Sequence, residues 1–337
     1  MNWSPQRSRR PAAGNWDCDG RRWAGFRGAC SSACARAGGG HDGAMIRALL
    51  LASRPKTLPA AVAPVVAGSA LAWRLAGGFS WGLAWCTLLS TIAIQVATNY
   101  FNDAVDARKG ADTAARLGPL RATASGLVPP RIMLGAGVAM LVLAVLISLP
   151  MVAARGWPVV GIGVVSLFFT YGYTGGPVPL AYRGLGELFV LLFFGLVAVA
   201  GTVFVQTGEW RMEALLLGAQ IGMLSTVLIA INNLRDRVED AQSNKRTLAV
   251  RFGERFARRE ILLCCLGPYL LALGWSHFGL GLGGWPAGGA VGLGVLVGWL
   301  VQVTPAGRVY NKFLALSALH LVVWTGWMTW ALIQSKE

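Results

Sequence analysis

Long apolar stretches separated by short polar connections dominate the chain after Met45. Each stretch is close to the roughly 20 residues that an α-helix needs to cross the hydrocarbon core of a bilayer. They predict about nine transmembrane helices, at residues 58–76, 81–101, 132–152, 157–174, 185–206, 213–233, 260–279, 284–303 and 313–333. The pattern therefore indicates an all-α polytopic membrane protein with its helices in a bundle.

The composition agrees with a membrane protein and excludes an ordinary soluble domain. Of 337 residues, 55% are hydrophobic and 13% are charged, whereas soluble domains have about 25% charged residues. The formal net charge of +15 is of the kind that nucleic-acid-binding proteins carry. Here, however, the charges lie between apolar stretches, so we expect the lipid bilayer as the partner and no nucleic acid.

The basic residues concentrate in alternate connections between the predicted helices. One set of connections holds most of the Arg and Lys residues, and the other set holds only Arg74, Arg155, Arg211 and Lys336. Positively charged connections face the cytoplasm in most membrane proteins. We therefore expect a multi-pass protein of the cytoplasmic (inner) membrane, with the basic connections facing the cytoplasm.

Residues 1–44 differ from the rest of the chain. This segment is rich in Arg, Gly, Ala and Ser and contains no apolar stretch, which predicts a disordered basic tail. It is either a targeting segment or the product of a gene start placed upstream of the true initiator, Met45, and we favour the second interpretation. The expected organisation is thus a tail at 1–44 and a membrane domain at 45–337.

Acidic residues are scarce after Met45, and half of them fall in two short segments. Each segment follows an even-numbered predicted helix, so both lie on the basic side. If the helices continue through these segments, one face of each presents a row of oxygen-bearing side chains. The row in the first segment is Asn99, Asp103 and Asp106, and the row in the second is Asn232, Asp236 and Asp240.

Stacked carboxylates at the edge of a membrane repel each other unless a cation offsets their charge. Mg²⁺ prefers oxygen ligands and commonly bridges carboxylates to substrate phosphates, and no His or Cys is placed here to favour zinc. Interspersed basic residues suit the same phosphate or diphosphate ligand. These residues are Arg108, Lys109, Arg116, Arg121, Arg235, Lys245, Arg246 and Arg251.

At these residues the chain resembles the UbiA superfamily of intramembrane prenyltransferases. The two motifs stand as Asn102-Asp103-Ala-Val-Asp106 and Asp236-Arg-Val-Glu-Asp240. Further segments resemble the MenA-type 1,4-dihydroxy-2-naphthoate polyprenyltransferases within that superfamily. They are Lys109-Gly-Ala-Asp112, Gly118-Pro-Leu-Arg121, Asn232-Asn-Leu-Arg-Asp236 and Asn244-Lys-Arg-Thr-Leu-Ala-Val-Arg251. The resemblance extends from about Met45 to the last predicted helix.

Two positions depart from the common superfamily pattern. The last Asp of its first motif would fall at Gly110, and the nearest acid is Asp112, a shift that the MenA-type pattern shares. The 4-hydroxybenzoate enzymes carry a Tyr-Pro-x-x-Lys-Arg element after the fourth helix, whereas Tyr173 is followed here by Thr-Gly-Gly-Pro. Arg183 is a candidate for the charge that this element would otherwise supply.

The resemblance implies a Mg²⁺-dependent enzyme that transfers a polyprenyl group from a polyprenyl diphosphate to 1,4-dihydroxy-2-naphthoate, with decarboxylation, to give demethylmenaquinone. It also implies a central cavity that opens towards the cytoplasm. The catalytic residues implied are Asp103, Asp106, Asp236 and Asp240; the metal ligands are these four with Asn102, Asp112 and Asn232. The substrate-binding candidates are Asn99, Arg54, Lys56, Lys109, Arg121, Tyr173, Arg183 and Lys245.

Two alternative functions share some of these features. One is a superfamily prenyltransferase that acts on another aromatic acceptor, such as 4-hydroxybenzoate. The other is a secondary transporter, which would also have about nine helices with polar breaks. A transporter places its acidic residues near the bilayer midplane, whereas here they cluster in connections on the basic side.

Overall fold

The computed structural model describes residues 41–110, 117–119, 121–177, 179–279 and 288–335. The chain divides into two compact units, Met1–Ala44 and Met45–Glu337. All regular secondary structure in the described ranges is helical, which confirms the all-α class. The α-helices are α1 His41–Ala52, α2 Pro59–Leu75, α3 Trp81–Arg108, α4 Pro130–Arg155, α5 Trp157–Gly172, α6 Gly186–Val190, α7 Ala198–Thr207, α8 Met212–Arg235, α9 Arg237–Gln242, α10 Leu248–Leu271, α11 Gly288–Val303 and α12 Tyr310–Gln334.

Six helical segments in the described ranges are long and apolar enough to cross a bilayer. They are Trp81–Arg108, Pro130–Arg155, Gly186–Thr207, Met212–Arg235, Leu248–Phe278 and Tyr310–Gln334. The pair Gly43–Thr57 and Pro59–Leu75, bent by 53°, would add a seventh, and Trp157–Gly172 and Gly289–Val303 are apolar but shorter. Every apolar stretch of the sequence thus contains a helix, while the full count of nine spans stays a prediction.

Helix α3 carries the first carboxylate segment without interruption. The Ser80 hydroxyl accepts a hydrogen bond from the Leu83 amide (3.3 Å), an N-cap that satisfies one of the donors at the helix start. The helix continues through the carboxylate segment and the chain then turns at Gly110, whose φ of 67° favours glycine. The helix continues as expected, but the predicted row divides: Asn99 binds the Ser53 carbonyl oxygen and Asp103 the amides of Ala122 and Thr123. Asp106 instead lies on one face with Asn102, one turn earlier.

The second carboxylate segment departs from the predicted continuous helix. Helix α8 ends at Arg235, Asp236 has φ −92° and ψ 8°, and α9 begins at Arg237. The Arg235 guanidinium donates to both carboxylate oxygens of Asp236, at 2.7 and 2.6 Å. Adjacent side chains of a regular helix point about 100° apart and do not face each other, so this pairing accompanies a local break. The prediction of one unbroken helix here is wrong.

Helix α1 packs along α3 beside the first carboxylate segment. Ala48 and Ala52 of α1 are buried in one apolar cluster with Tyr100 of α3. The Tyr100 hydroxyl also donates to the Leu49 carbonyl oxygen at 3.2 Å. This packing places the end of α1, and the residues that follow it, next to the polar end of α3.

A close backbone contact joins α8 to the segment Leu191–Val197, which forms π-helical turns between α6 and α7. A Cβ atom on Gly222 would lie 2.6 Å from the Leu191 carbonyl oxygen, and one on Gly218 would lie 2.9 Å from a backbone atom of Leu196. Small residues allow membrane helices to approach this closely. The contact fixes the α6–α7 segment against the helix that carries the second carboxylate segment.

Candidate active site

Asp106 is the centre of the first half of the site. It is buried, and its two carboxylate oxygens have different partners: Oδ1 accepts from the Tyr182 hydroxyl at 2.9 Å, and Oδ2 lies 3.5 Å from the Arg121 guanidinium. One turn earlier, Asn102 Oδ1 accepts from the Thr174 hydroxyl. This face of α3 is therefore directed at the connection between α5 and α6 and at the loop that carries Arg121.

Lys109, at the end of α3, joins the same group. Its ammonium donates to the Thr174 carbonyl oxygen at 2.7 Å and lies 3.9 Å from the centre of the Tyr182 ring. Burial lowers the pKa of Lys109 below that of an ordinary lysine; Asp106 opposes this shift and Lys245 adds to it. Lys245 follows the second motif, and its charge lowers the pKa of Lys109, which follows the first motif.

Asp103 has surroundings that differ from those of Asp106. It is 1% exposed, and its carboxylate accepts from two backbone amides, Thr123 at 2.8 Å and Ala122 at 3.2 Å. These donors belong to a loop, not to a ligand pocket. The sequence assigned Asp103 to the metal and to catalysis, and that role stays a prediction; in the structure its carboxylate binds the backbone beside Arg121.

Arg235 organises the second half of the site. Besides Asp236, its guanidinium donates to the side-chain oxygens of Asn232 and Asn311, both at 2.7 Å. Arg235 is almost completely buried, so it forms a hub that ties α8 to the start of α12. The sequence indicated Arg235 only as one phosphate-binding cation among several, and it gave no role to Asn311 in the site.

Asp240, on α9, is buried and pairs with Lys245 at 3.5 Å. The Lys245 amide also donates to the Asp240 carbonyl oxygen at 2.8 Å, which closes the turn after α9. Asn244, the last residue of this turn before Lys245, has a φ of 56°, a left-handed conformation that asparagine tolerates better than most residues. A tight turn thus brings this acid and this cation together.

Tyr182 connects the two halves. Its hydroxyl donates to Asp106, and its backbone carbonyl accepts from the Arg246 amide at 3.1 Å. A second link runs through Leu117, whose amide donates to Glu239 at 3.2 Å and whose carbonyl accepts from Asn311 at 3.0 Å. The two motif segments, far apart in the sequence, therefore meet at one end of the bundle.

The carboxylates of this site are each paired with a cation of the protein. Asp106 has Arg121, Asp236 has Arg235, and Asp240 has Lys245. The sequence argument held that a cation must offset their repulsion and favoured Mg²⁺; in the structure arginine and lysine side chains supply cations at these carboxylates. Among the described residues no group of three or more His, Cys, Asp or Glu is arranged to hold a metal.

The oxygen donors nevertheless suit Mg²⁺. Such a site needs only one or two carboxylates when substrate phosphates supply further ligands. Asn102, Asp106, Asp236 and Asp240 offer one amide and three carboxylate groups, with neither His nor Cys among them. Asp112, the remaining acid that the sequence assigned to the metal, lies outside the described residues.

Three basic residues were candidates for holding the acceptor carboxylate, and the structure separates them. Lys56 and Arg183 are exposed, whereas Arg54 is half-buried and has a left-handed φ of 53°. The Asn99 amide holds this turn by donating to the Ser53 carbonyl oxygen at 2.8 Å. Strained backbone of this kind persists where surrounding contacts fix it, and it is frequent at functional sites.

Tyr173 lies near both halves of the site. Burial raises the pKa of its hydroxyl, and the acidic residues Glu187, Asp106 and Asp240 raise it further, while Arg54 lowers it. The phenol therefore stays protonated and can act as a hydrogen-bond donor. A Cβ atom on Gly186 would lie 3.0 Å from the Tyr173 hydroxyl oxygen, so this hydroxyl lies against the start of α6.

A cavity of about 190 Å³ lies inside the bundle, between α2, α3, α4, α5 and the α6–α7 segment. Thr98, one turn before Asn102 on α3, lines it. So do the rings of Phe169, Phe189 and Phe193, which pack against one another with centroids 4.4 to 5.4 Å apart. The cavity thus begins below the polar site and has largely apolar walls.

A family model described as the UbiA prenyltransferase family matches residues 61–304, a region that includes both motif segments. The chain belongs to this family. It is therefore a prenyltransferase enzyme, and the resemblance inferred from the motifs is confirmed. The same finding argues against the secondary transporter.

Several relatives are named for one reaction. The chain is 38% identical to the 1,4-dihydroxy-2-naphthoate octaprenyltransferase of Haemophilus influenzae, over 60% of this chain and 68% of that protein. It is 36% identical to the Escherichia coli protein of the same name, over 71% of this chain and 80% of that protein. This similarity confirms the MenA-type branch of the resemblance.

The fold also has solved counterparts. A UbiA homolog from Archaeoglobus fulgidus, whose structure was solved bound to GPP and Mg²⁺, aligns with a TM-score of 0.57 over 85% of this chain and 99% of that chain. The two sequences are 14% identical, so this likeness shows the fold alone. The helical bundle is thus the UbiA fold.

Proposed function

We propose that this enzyme transfers a polyprenyl group from a polyprenyl diphosphate to 1,4-dihydroxy-2-naphthoate, with loss of the carboxyl group, to give demethylmenaquinol, the reduced form of demethylmenaquinone. The names of its relatives support this acceptor. The observation that carries the proposal is the meeting of the two motif segments at Tyr182, which touches Asp106 through its side chain and Arg246 through its backbone. That meeting gathers acids and cations at the mouth of an apolar cavity.

Mg²⁺ is the metal that the oxygen donors suit, and the structure of a UbiA homolog was solved bound to GPP and Mg²⁺. Asn102, Asp106, Asp236 and Asp240 would hold it. When bound, the ion would neutralise charge on the diphosphate as the allylic C–O bond breaks.

The cations of the site bind the diphosphate. Lys109, Arg121 and Lys245 already lie on carboxylates or carbonyls of the site, at 2.7 to 3.5 Å. Guanidinium and ammonium groups form charge-assisted hydrogen bonds to phosphate oxygens, and these bonds strengthen as the leaving group gains charge. Arg121 and Lys245 would each donate hydrogen bonds both to a carboxylate of the site and to the diphosphate.

The prenyl chain occupies the apolar cavity. Breaking the C–O bond leaves an allylic carbocation, which must be kept from water until it meets the acceptor. The clustered rings of Phe169, Phe189 and Phe193 line the cavity and present π faces that attract a cation. The cavity therefore both excludes water and stabilises the reacting carbon.

Arg54 is the residue that we assign to the acceptor carboxylate. It is the least exposed of the three candidates, and the Asn99 amide holds its turn next to the polar end of α3. The acceptor ring supplies the electron pair for the new C–C bond, the diphosphate leaves with the pair from the C–O bond, and the carboxyl group departs as CO₂. Lys56 and Arg183, both exposed, have no part in this step.

Isotopic labelling tests the proposed reaction. With 1,4-dihydroxy-2-naphthoate carrying ¹³C in its carboxyl group, purified enzyme and Mg²⁺ should release one labelled CO₂ for each prenylated naphthoquinol formed. Arg54→Lys should reduce the rate and Arg54→Gln should reduce it further, while Lys56→Gln serves as the exposed control and retains activity. A prenylated product that keeps the label would contradict decarboxylation.

We also propose that the motif end of the bundle faces the cytoplasm, because the basic connections lie there. A cysteine at exposed Arg183 should react with a membrane-impermeant maleimide in inverted membrane vesicles and stay unlabelled in intact cells whose outer barrier is permeabilised. A cysteine at exposed Glu209, in the opposite connection, should behave in the reverse way. The opposite labelling would invert the proposed orientation.

A further inference from the structure

Asp103 has partners that a metal ligand does not need. Its carboxylate accepts from the amides of Ala122 and Thr123, and no other hydrogen bond to this carboxylate is found in the described part of the chain. Both oxygens accept from backbone amides, and the residue is 1% exposed. The partners of Asp106 and Asp236 are side chains, which can turn to a ligand, whereas backbone amides inside a turn cannot. A buried carboxylate that receives two backbone amides is strongly held in place.

The two backbone amides that donate hydrogen bonds to Asp103 lie at the start of a compact turn. Within it, the Ser125 amide donates to the Arg121 carbonyl oxygen at 3.0 Å, and the Leu127 and Val128 amides both donate to the Ala122 carbonyl oxygen, at 3.0 and 3.2 Å. As at the start of a helix, the first amides of such a turn have no acceptor within it. Asp103 supplies that acceptor from α3, as an N-cap side chain does within one segment.

The turn carries a cation of the proposed active site. Arg121 immediately precedes the two anchored amides, is 9% exposed and reaches Asp106 at 3.5 Å. Asp103 and Asp106 lie one turn apart on the same rigid helix. One of them therefore fixes the backbone beside Arg121, and the other meets its guanidinium.

We propose that Asp103 is a positioning residue, which clamps the Arg121–Val128 turn so that Arg121 stays over Asp106 and the diphosphate. The effect of this role on turnover rests on the proposed function, whereas the hydrogen bonds that hold the turn do not. It reassigns Asp103 from the metal set, which then keeps Asn102, Asp106, Asp236 and Asp240. An arginine in an unclamped turn would bind the diphosphate at an entropic cost that the clamp removes.

Hydrogen exchange of the purified full-length protein tests the clamp directly. In Asp103→Asn the side chain offers one oxygen acceptor and one NH₂ group, so one amide loses its partner. Exchange at Ala122 and Thr123 should accelerate about 10- to 100-fold, the effect of losing a hydrogen bond to a charged group. In the control, Asp106→Asn, the same amides should stay protected.

Kinetics separates positioning from metal binding. Asp103→Asn should raise the KM for the polyprenyl diphosphate about tenfold and leave the half-saturating Mg²⁺ concentration unchanged. Asp106→Asn should raise the Mg²⁺ requirement. Arg121→Gln should raise the same KM without exposing the amides, and the double variant with Asp103→Asn should show less than the product of the two single effects.

A measurement on the unaltered enzyme keeps the inference testable if Asp103→Asn fails to fold. Addition of Mg²⁺ with inorganic diphosphate should leave the Ala122 and Thr123 amides as protected as before. Deprotection of these amides on addition would mean that the carboxylate has turned to the metal, and would overturn the clamp. Loss of all prenyl transfer with protected amides would instead count against the proposed function alone.

Discussion

Replacement of Arg235 should destabilise the protein far more than it slows the chemistry of each folded molecule. Its guanidinium makes four hydrogen bonds: two to Asp236, at 2.7 and 2.6 Å, and one each to Asn232 and Asn311, both at 2.7 Å. The side chains of Arg235 and Asp236 are only 1% and 6% exposed. This hub holds the end of α8 against the start of α12.

The magnitude follows from what each variant leaves behind. Arg235→Leu leaves the Asp236 carboxylate without its guanidinium, and deleting one partner of a buried ion pair costs about 3–5 kcal/mol. Arg235→Lys keeps the charge, but a single ammonium cannot reach both carboxylate oxygens of Asp236 and the side chain of Asn311. That change loses one or two hydrogen bonds to charged groups, at a cost of about 1–3 kcal/mol each.

Thermal unfolding of the purified protein in detergent, with turnover normalised to the folded fraction, measures both effects. Arg235→Lys should lower the melting temperature by less than Arg235→Leu and keep most of its turnover per folded molecule. Asn311→Ala, which removes one partner of the hub, should fall between the parent protein and Arg235→Leu. An Arg235→Lys variant with an unchanged melting temperature and no turnover would refute a structural role and place Arg235 on the substrate.

Asp106→Asn should lower turnover strongly at the Mg²⁺ concentration that saturates the parent enzyme, and Asp240→Asn should abolish it, while both stay folded, because both are oxygen donors of the site; near-normal product by mass spectrometry in either would remove it from the metal set. Excess EDTA should stop turnover and added Mg²⁺ should restore it, and activity that persists in EDTA would count against the metal. Burial lowers the pKa of Lys109 below the 10.5 of an ordinary lysine, so turnover should fall with rising pH before such a lysine would lose its proton. Lys109→Arg should move this fall in turnover to higher pH, and an unchanged pH profile would exclude Lys109 from binding the diphosphate. Gly222→Ala should cost about 1–3 kcal/mol by overpacking, whereas Gly161→Ala, at a position with nothing within 4 Å of a Cβ, should be neutral in the same unfolding assay.

The helical architecture could be predicted because it depends on local pattern. Apolar stretches of membrane length located every apolar helix. The predicted row of Asn99, Asp103 and Asp106 did lie on one continuous helix, but the spacing did not reveal that the three side chains have different partners. Helix α1 was missed, since its twelve residues are too few to cross a bilayer alone. Length and hydropathy also separate six strong spans from the shorter apolar helices, which a count of apolar stretches does not.

The contacts of the site could be predicted only in part. The motifs indicated which acids and cations belong together, but not which acid pairs with which cation. Tyr182 joins the two halves through contacts that span 64 and 76 positions of the sequence, and no local pattern encodes such a contact. The break at Asp236 and the clamp at Asp103 likewise depend on residues from other segments, namely Asn311 and the amides beside Arg121.

A competition between acceptors tests the proposed reaction most directly. Purified enzyme with Mg²⁺ and a polyprenyl diphosphate would be offered equal concentrations of 1,4-dihydroxy-2-naphthoate and 4-hydroxybenzoate, and the products would be identified by mass spectrometry. The account predicts a decarboxylated prenyl-naphthoquinol as the dominant product. Prenylated 4-hydroxybenzoate as the dominant product would keep the family and its site but contradict the proposed acceptor.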